Sequence, residues 1–146
     1  MSELAPEPIE NATRLLGADH ASRAFGMELL SAGPGKCVIR MRVRPDMMNG
    51  FATCHGGVIF TLADSAFAFA CNSDGVPTVA AAASVDFLAA ALVGDELTAR
   101  ASEVWRGGRS GLYEVRVEKQ SGEVVALFRG RSHRIAAGRP AQGAEK

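Results

Sequence analysis

The chain of 146 residues is long enough for one domain with a single hydrophobic core. Its 16 basic and 16 acidic residues cancel, so no net charge attracts nucleic acid or an anionic membrane. Three cysteines at wide spacing, and no secretory leader in residues 1–20, favour a reduced, cytoplasmic protein. We therefore predict a single domain over residues 1–146, with loosely ordered ends near residues 1–8 and 137–146.

The first predicted elements are a short amphipathic helix near residues 9–17 and two strands near residues 24–30 and 36–44. A Gly33-Pro34-Gly35 turn separates the strands. The second strand alternates between apolar and basic residues, which predicts one buried and one solvated face. Its apolar face consists of Cys37, Ile39, Met41 and Val43.

A long apolar run over residues 57–71 has neither proline nor interior glycine and is followed by Asn72-Ser73-Asp74-Gly75, which predicts where the helix ends. The run is apolar almost all round, which is typical of a buried helix. It is too short to cross a bilayer and carries Asp64 near its middle. We predict a buried helix with one charged residue.

Four strands are predicted after this helix, near residues 78–87, 96–105, 111–119 and 123–134. The first should place five residues on one face, namely Val79, Ala81, Ala83, Val85 and Phe87. Strands and helices do not alternate along the chain, so an antiparallel α+β arrangement is favoured over a doubly wound one. A long central helix wrapped by a curved antiparallel sheet is the simplest architecture that buries the helix.

Asp64 is the most informative residue. A carboxylate beside Phe67 and Ala68 loses hydration and has no cation on its own helix, so a cleft, a partner subunit or a distant polar group must solvate it. Burial raises the pKa of a carboxyl group, which suits a general base or nucleophile near neutral pH. The alternative is a structural carboxylate that reaches water or an arginine.

His55-Gly56-Gly57 comes just before the helix. Unpaired backbone N–H groups at a helix start attract negative charge, and glycine lets a ligand approach the main chain closely. An oxyanion contact is therefore reasonable here. A plain turn into a helix uses the same residues, and Asn49-Gly50 is first of all a turn signal.

Other chemistries have less support. Cys54 and His55 are adjacent in sequence, which is no evidence for a thiolate–imidazole pair, and the cysteines and histidines lack zinc spacing. The turn formed by Gly107-Gly108-Arg109-Ser110-Gly111 could hold a phosphate, although a flexible hairpin explains it equally well. The basic residues of the last strand fit either an anion site or a charged edge strand. These are Arg129, Arg131, His133 and Arg134.

Taken together, the segment from Asn49 to Gly57 followed by Leu62-Ala-Asp-Ser65 closely resembles the hotdog-fold acyl-CoA thioesterases, nearest to the phenylacetate-pathway (PaaI-type) enzymes. The similarity continues through Val85-Asp-Phe-Leu88 and the last strand, and covers most of residues 20–135. One departure is Ala89-Ala90-Ala91, where relatives often carry a basic residue and proline.

The resemblance implies an active site shared between two subunits of a homo-oligomer, expected to be a tetramer of two hotdog dimers. Asp64 would be the carboxylate that attacks the thioester or activates water, and the N–H group of Gly56 would polarise the thioester carbonyl. Asn49 and His55 would orient the pocket and complete the catalytic set. The expected substrate-binding residues are Gly57, Ser65, Gly108, Arg109, Ser110, Arg131 and His133.

The sequence thus predicts hydrolysis of acyl-CoA thioesters, of the phenylacetyl- or hydroxyphenylacetyl-CoA type, without a metal or redox cofactor. Coenzyme A would be part of the substrate, and neither nucleic acid nor membrane is an expected partner. One alternative is a hotdog dehydratase or hydratase, which usually has a catalytic histidine in an arrangement that is absent here. The other is a non-catalytic acyl-CoA-binding protein, which has no need of a desolvated carboxylate.

Overall fold

The computed structural model describes residues 6–135, in which three helices, one 3-10 turn and six strands follow one another. Loose ends are predicted near residues 1–8 and 137–146, of which residues 1–5 and 137–146 lie outside the described residues, whereas Pro8 already belongs to the first helix. The helices are α1 (Pro8–Ala18), α2 (His20–Ala24) and α3 (Gly56–Cys71), and the 3-10 turn is Pro45–Met47. The strands are β1 (Glu28–Gly33), β2 (Lys36–Arg42), β3 (Thr78–Phe87), β4 (Glu96–Gly107), β5 (Ser110–Lys119) and β6 (Val124–Arg134).

The six strands form one sheet in the order β1-β2-β4-β5-β6-β3, and every neighbouring pair is antiparallel. Helix α3 packs across one face of this sheet and contacts all six strands. The alternation of β2 explains the inner face, because Cys37, Ile39 and Met41 are fully buried there. The predicted α+β arrangement of one long helix against an antiparallel sheet is confirmed.

Helix α3 ends where the sequence predicts. Asn72 is its C-cap and donates a side-chain hydrogen bond to the carbonyl of Ala68 (2.8 Å), while Gly75 adopts a left-handed φ of +81° in the turn that follows. Within residues 6–135, no helix has the length and mean hydropathy needed to span a membrane.

The predicted strand over residues 24–30 is wrong in its first half. Ala24 ends the short helix α2, and β1 begins only at Glu28. Asp19 caps α2, since its carboxylate accepts a hydrogen bond from the backbone N–H of Ser22 at 2.9 Å. A helix of five residues is too short to show a 3.6-residue period, so the cap was the only available signal.

The predicted face of β3 is also wrong. A shift in register between Ala80 and Ala82 places Val79 on one side of the sheet and Ala83 on the other. Among the six described strands, β3 pairs with β6 alone, so it forms an edge of this sheet. Most of its residues are exposed, although the strand is long and apolar. Such an edge is a site for pairing with another chain.

Candidate active site

The loop before α3 is organised by the side chain of Asn49. Its Oδ1 accepts hydrogen bonds from the backbone N–H groups of Phe51 (2.9 Å) and Thr53 (3.2 Å). Its Nδ2 donates to the Thr53 hydroxyl at 2.9 Å. Asn49 therefore fixes the loop that delivers the chain to the start of α3, and one amide hydrogen is left for another acceptor.

His55 is the N-cap of α3. Its Nδ1 accepts a hydrogen bond from the backbone N–H of Gly57 at 2.9 Å, and its own backbone N–H donates to the carbonyl of Met47 at 2.8 Å. Because Nδ1 is an acceptor, a neutral imidazole carries its hydrogen on Nε2. The exposed ring of His55 can thus offer a donor to a ligand while it caps the helix.

Gly56 is the first residue of α3, and within residues 6–135 its backbone N–H has no hydrogen-bond acceptor. A Cβ at this position would lie 3.1 Å from the ring of Phe87, so glycine allows the strand end and the helix start to approach closely. This N–H, reinforced by the helix dipole, is a suitable donor to a developing oxyanion.

A cavity of about 440 Å³ lies beside these groups. Its walls combine the polar loop with an apolar segment that follows β3. The lining residues are Asn49, Thr53, Cys54, Gly56, Ile59, Phe87, Leu88, Ala89, Ala90 and Ala91. The cavity therefore brings Asn49 and Gly56 together, whereas neither His55 nor Asp64 lines it.

Asp64 lies two turns further along α3 and is half-buried. No group within residues 6–135 forms a hydrogen bond or ion pair with its carboxylate. Burial raises the pKa of Asp64, and the negative charge of Asp19 raises it further. A carboxylate with a raised pKa and free lone pairs can serve as a base or nucleophile.

The predicted substrate-binding residue Ser65 is engaged inside the protomer. Its hydroxyl lies 2.6 Å from that of Ser22, and both side chains are buried. Gly57 donates its N–H to His55, so its contribution at this site is to complete the helix cap. The substrate contacts predicted for Ser65 and Gly57 remain predictions.

The other predicted binding residues gather at the β4–β5 turn. Gly108 adopts a left-handed φ of +58°, and Ser110 pairs with His133 in the sheet. Arg109 and Arg131 are exposed and have no carboxylate partner within residues 6–135, whereas Arg129 pairs with Glu114 at 3.0 Å. Guanidinium groups without a carboxylate partner are suitable hydrogen-bond donors to phosphate.

Cysteine chemistry is disfavoured at the site. Cys54 lines the cavity, but burial raises the pKa of its thiol to about 11, so the thiol stays protonated at neutral pH. Burial likewise raises the pKa of Cys37 and of Cys71 to about 12. Within residues 6–135, no group of three or more His, Cys, Asp or Glu side chains is arranged to hold a metal ion.

Sequence reasoning missed the apolar wall of the cavity and the partners of Ser65. Phe87 and Leu88 belong to the segment Val85–Leu88 that carries part of the resemblance, but nothing in that segment indicates that they line a cavity with Asn49 and Gly56. Asp19 and Ser22 were also missed. Their spacing of three residues is typical of a helix N-cap, but nothing in the sequence indicates contact with a serine 43 residues away.

Comparison with known proteins gives matches over most of the chain. Residues 51–126 match the thioesterase superfamily. The acyl-coenzyme A thioesterase PaaI of Escherichia coli is 44% identical over 126 residues, which cover 86% of this chain and 90% of PaaI. The solved structure of E. coli PaaI gives a TM-score of 0.88 at 42% identity and covers 92% of this chain and 97% of PaaI. A Streptococcus pneumoniae thioesterase protein solved with coenzyme A gives a TM-score of 0.79 at 25% identity, covering 85% and 97% of the two chains.

Proposed function

The chain belongs to the thioesterase superfamily, and from that premise we propose that it hydrolyses acyl-CoA thioesters at a site formed by two subunits. The predicted hotdog fold is confirmed by the match to PaaI. The observation that carries the proposal is a pair of incomplete groups on α3. Within residues 6–135, the Gly56 N–H lacks an acceptor and the Asp64 carboxylate lacks a donor.

In the proposed mechanism, the thioester carbonyl oxygen accepts hydrogen bonds from the Gly56 N–H and from Nε2–H of His55. Both donors stabilise the oxyanion that develops when the carbonyl carbon is attacked. Asp64 attacks that carbon directly or removes a proton from the attacking water. The C–S bond then breaks and the coenzyme A thiolate takes up a proton, which gives free coenzyme A. If water attacks, the other product is the carboxylic acid. If Asp64 attacks, its side chain holds the acyl group as a mixed anhydride, and water then hydrolyses this anhydride to the carboxylic acid and free Asp64. No step requires a metal ion or a redox cofactor.

A homo-oligomer is part of the proposal. Asp64 lies outside the cavity that Asn49 and Gly56 line, so a second subunit is the natural source of its reaction partners. Strand β3 supports this arrangement, since it is a long apolar edge whose residues are largely exposed. We propose that two protomers pair to form a hotdog dimer and that two dimers form a tetramer.

The cavity supports a small, uncharged acyl group as the substrate class. Ile59, Phe87 and Leu88 form its apolar side, and the three alanines at residues 89–91 add no charge. A volume of about 440 Å³ is in the range of small-molecule pockets. The solved E. coli relative comes from the phenylacetic acid degradation operon. Phenylacetyl or hydroxyphenylacetyl groups are our proposed acyl class, which places the enzyme in phenylacetate degradation.

We assign the phosphates of coenzyme A to Arg109, Arg131 and His133. These residues lie near the end of β6. The cavity lies near the start of β6, because its lining residue Leu88 donates a backbone hydrogen bond to the carbonyl of Val125 at 2.8 Å. Arg131 lies six residues after Val125 on this strand, and six residues of extended strand span about 20 Å. Coenzyme A is elongated and carries its thioester and its phosphates at opposite ends, so it suits two separated contacts, within one subunit or across two.

The function is tested by measuring free-thiol release from a panel of acetyl-, hexanoyl-, phenylacetyl- and hydroxyphenylacetyl-CoA. We expect the highest kcat/KM for the aryl-acetyl esters and a loss of at least about 1,000-fold for Asp64→Asn. Turnover by Asp64→Asn equal to that of the native protein would contradict the role of Asp64. Tight coenzyme A binding without hydrolysis of any ester would instead favour a binding protein.

A further inference from the structure

A buried chain of hydroxyl groups connects the start of α2 to the middle of α3. The Ser22 hydroxyl lies 2.6 Å from the Asp19 carboxylate and 2.6 Å from the hydroxyl of Ser65. Ser22 is 1% exposed and Ser65 is 6% exposed. Water therefore has little access to the bond between the two serines, and this contact fixes α2 against the helix that carries Asp64.

The direction of these bonds follows from their chemistry. An ionised carboxylate can only accept, so Ser22 donates its hydrogen to Asp19. The Ser22 oxygen is then an acceptor towards α3, and Ser65 is the donor between the two serines. Asp19 thus orients a chain of two hydroxyl groups that ends one residue from Asp64.

Asp19 also acts on Asp64 through its charge. It is the charged side chain within residues 6–135 that raises the pKa of Asp64, in addition to the effect of burial. On α3 itself, Cys71 is the other titratable group near Asp64, and burial keeps its thiol protonated by raising its pKa to about 12. Like charges disfavour the ionised form of a carboxyl group.

The charged groups of the other elements packed against α3 have their own partners. On α1, Glu10 accepts from the N–H of Glu7, and Arg14 donates to Asn11. On α2, Arg23 donates to the carbonyl of Gly17, which leaves His20 as that helix's remaining titratable group. In the sheet, Glu103 and Arg106 act on Tyr113, and Arg106 also acts on Cys71. None of these groups shifts the pKa of Asp64.

We propose that Asp19 is a positioning residue for the thioesterase reaction, which holds the Asp64 turn of α3 through Ser22 and Ser65 and keeps a negative charge beside Asp64. This inference rests on the proposed function of Asp64. In this proposal, Ser65 supports the helix that carries Asp64, because its hydroxyl bonds to Ser22. The short helix α2 is thereby linked to catalysis.

The two contributions of Asp19 can be separated by two variants. Asp19→Asn removes the charge but preserves a hydrogen-bonded chain, because its amide can donate to Ser22, which can then donate to Ser65. Ser22→Ala preserves the charge and breaks the chain. Glu28→Gln is the control, since it removes an exposed negative charge that does not act on Asp64.

The pH dependence of kcat/KM provides the first measurement. Activity requires ionised Asp64, so it falls as the pH drops through the pKa of that group. Asp19→Asn lowers that pKa, so we expect the acid limb to move to lower pH. Ser22→Ala should leave the limb in place, lower kcat about threefold and lower the Tm by about 4 °C. An unmoved limb in Asp19→Asn, or an equal displacement in Glu28→Gln, overturns the proposal.

A second measurement separates this proposal from the proposed function. The Asp64 carboxyl carbon is followed by ¹³C NMR during a pH titration, with its signal assigned by its absence in Asp64→Asn. We expect Asp64 to titrate at lower pH in Asp19→Asn even when no thioester is hydrolysed. Identical titration in the native and Asp19→Asn proteins refutes the effect of Asp19, whereas inactivity on every ester, with the NMR shift present, refutes only the assigned reaction.

Discussion

The start and the middle of α3 differ in how their polar groups are satisfied. At the start, the side chain of Asn49 bonds to its own loop and the side chain of His55 caps the helix. The backbone N–H of Gly56 is left without an acceptor among residues 6–135. In the middle, Asp64 is a carboxylate that has no donor among residues 6–135, in a helix that is otherwise apolar. One region has a free donor and the other has a free acceptor, yet only the first adjoins the cavity. We call the Gly56 N–H the donor half of the site and the Asp64 carboxylate the acceptor half. Helix α3 carries both halves, about two turns apart.

Within the donor half, the largest effect is expected at Gly56. Gly56→Pro removes the N–H, and the start of a helix accepts proline. His55 has φ −58° and ψ 132°, which also suits a residue before proline. Losing one oxyanion donor should lower kcat/KM about 100- to 1,000-fold.

Gly56→Ala is the matched control for this variant, since it keeps the N–H and adds a Cβ. The added carbon meets the exposed ring of Phe87 at 3.1 Å, and this ring can shift. We expect a loss of less than about 10-fold in Gly56→Ala. If the two variants lose the same activity in thiol-release assays, crowding and not the N–H explains the loss, and the oxyanion role of Gly56 is refuted.

The second prediction tests whether the two halves meet across a subunit boundary. Asp64→Asn and Gly56→Pro each lose nearly all activity in this scheme, but a mixed dimer contains one site with native Asp64 and native Gly56. Random pairing in a two-fold dimer should restore about a quarter of the native activity. Two affinity tags allow the mixed dimer to be purified from co-expressed chains. Failure of a purified mixed dimer to hydrolyse thioesters would place both groups in one chain's site.

The third prediction concerns His55, whose two roles can be separated: its Nδ1 caps α3, and its Nε2–H is the proposed donor to the oxyanion. His55→Asn retains a side-chain acceptor for the Gly57 N–H, because asparagine is a good N-cap, but it loses the Nε2–H. We expect kcat/KM to fall about 10-fold, as for one lost hydrogen bond, with little change in Tm. His55→Ala should show the same loss of activity and a Tm lowered by several degrees. Equal activity in His55→Asn and native protein would leave His55 with the capping role alone.

The fold was largely predictable because its signals are local. Alternation in β2 and the apolar run of α3 each give the correct element, since a half-buried strand and a buried helix impose those patterns. The alanines of β3 carry no such signal, so the register shift between Ala80 and Ala82 could not be anticipated. Helix α2 was missed because it is shorter than two turns.

The sequence indicates which segment carries the candidate site, but not the contacts that its residues make. The spacing from Asn49 to Asp64 identifies the segment, whereas the placement of Asp64 outside the cavity depends on tertiary packing. The same limit applies to Ser65, whose partner Ser22 lies 43 residues away in sequence. Hydrogen-bond partners at such separations are set by how elements dock, which periodicity does not report.

The smallest predicted effect is on the stability of the fold, and it follows from the burial of the Asp64 carboxylate. Burial raises the pKa of Asp64 above its ordinary value of 3.8, so the folded state binds a proton more tightly than the unfolded state. Stability contributed by this group is thus present in acid and is lost as the pH rises through the folded-state pKa. At neutral pH, Asp64→Asn should raise the free energy of unfolding by about 1 kcal/mol, and the Tm by a few degrees. The gain should shrink as the pH approaches 3.8, which thermal melts from pH 4 to 8 can measure. A gain that is the same at every pH would show that desolvation of the charge is not its cause, and that the acceptor half is already compensated in the assembled protein.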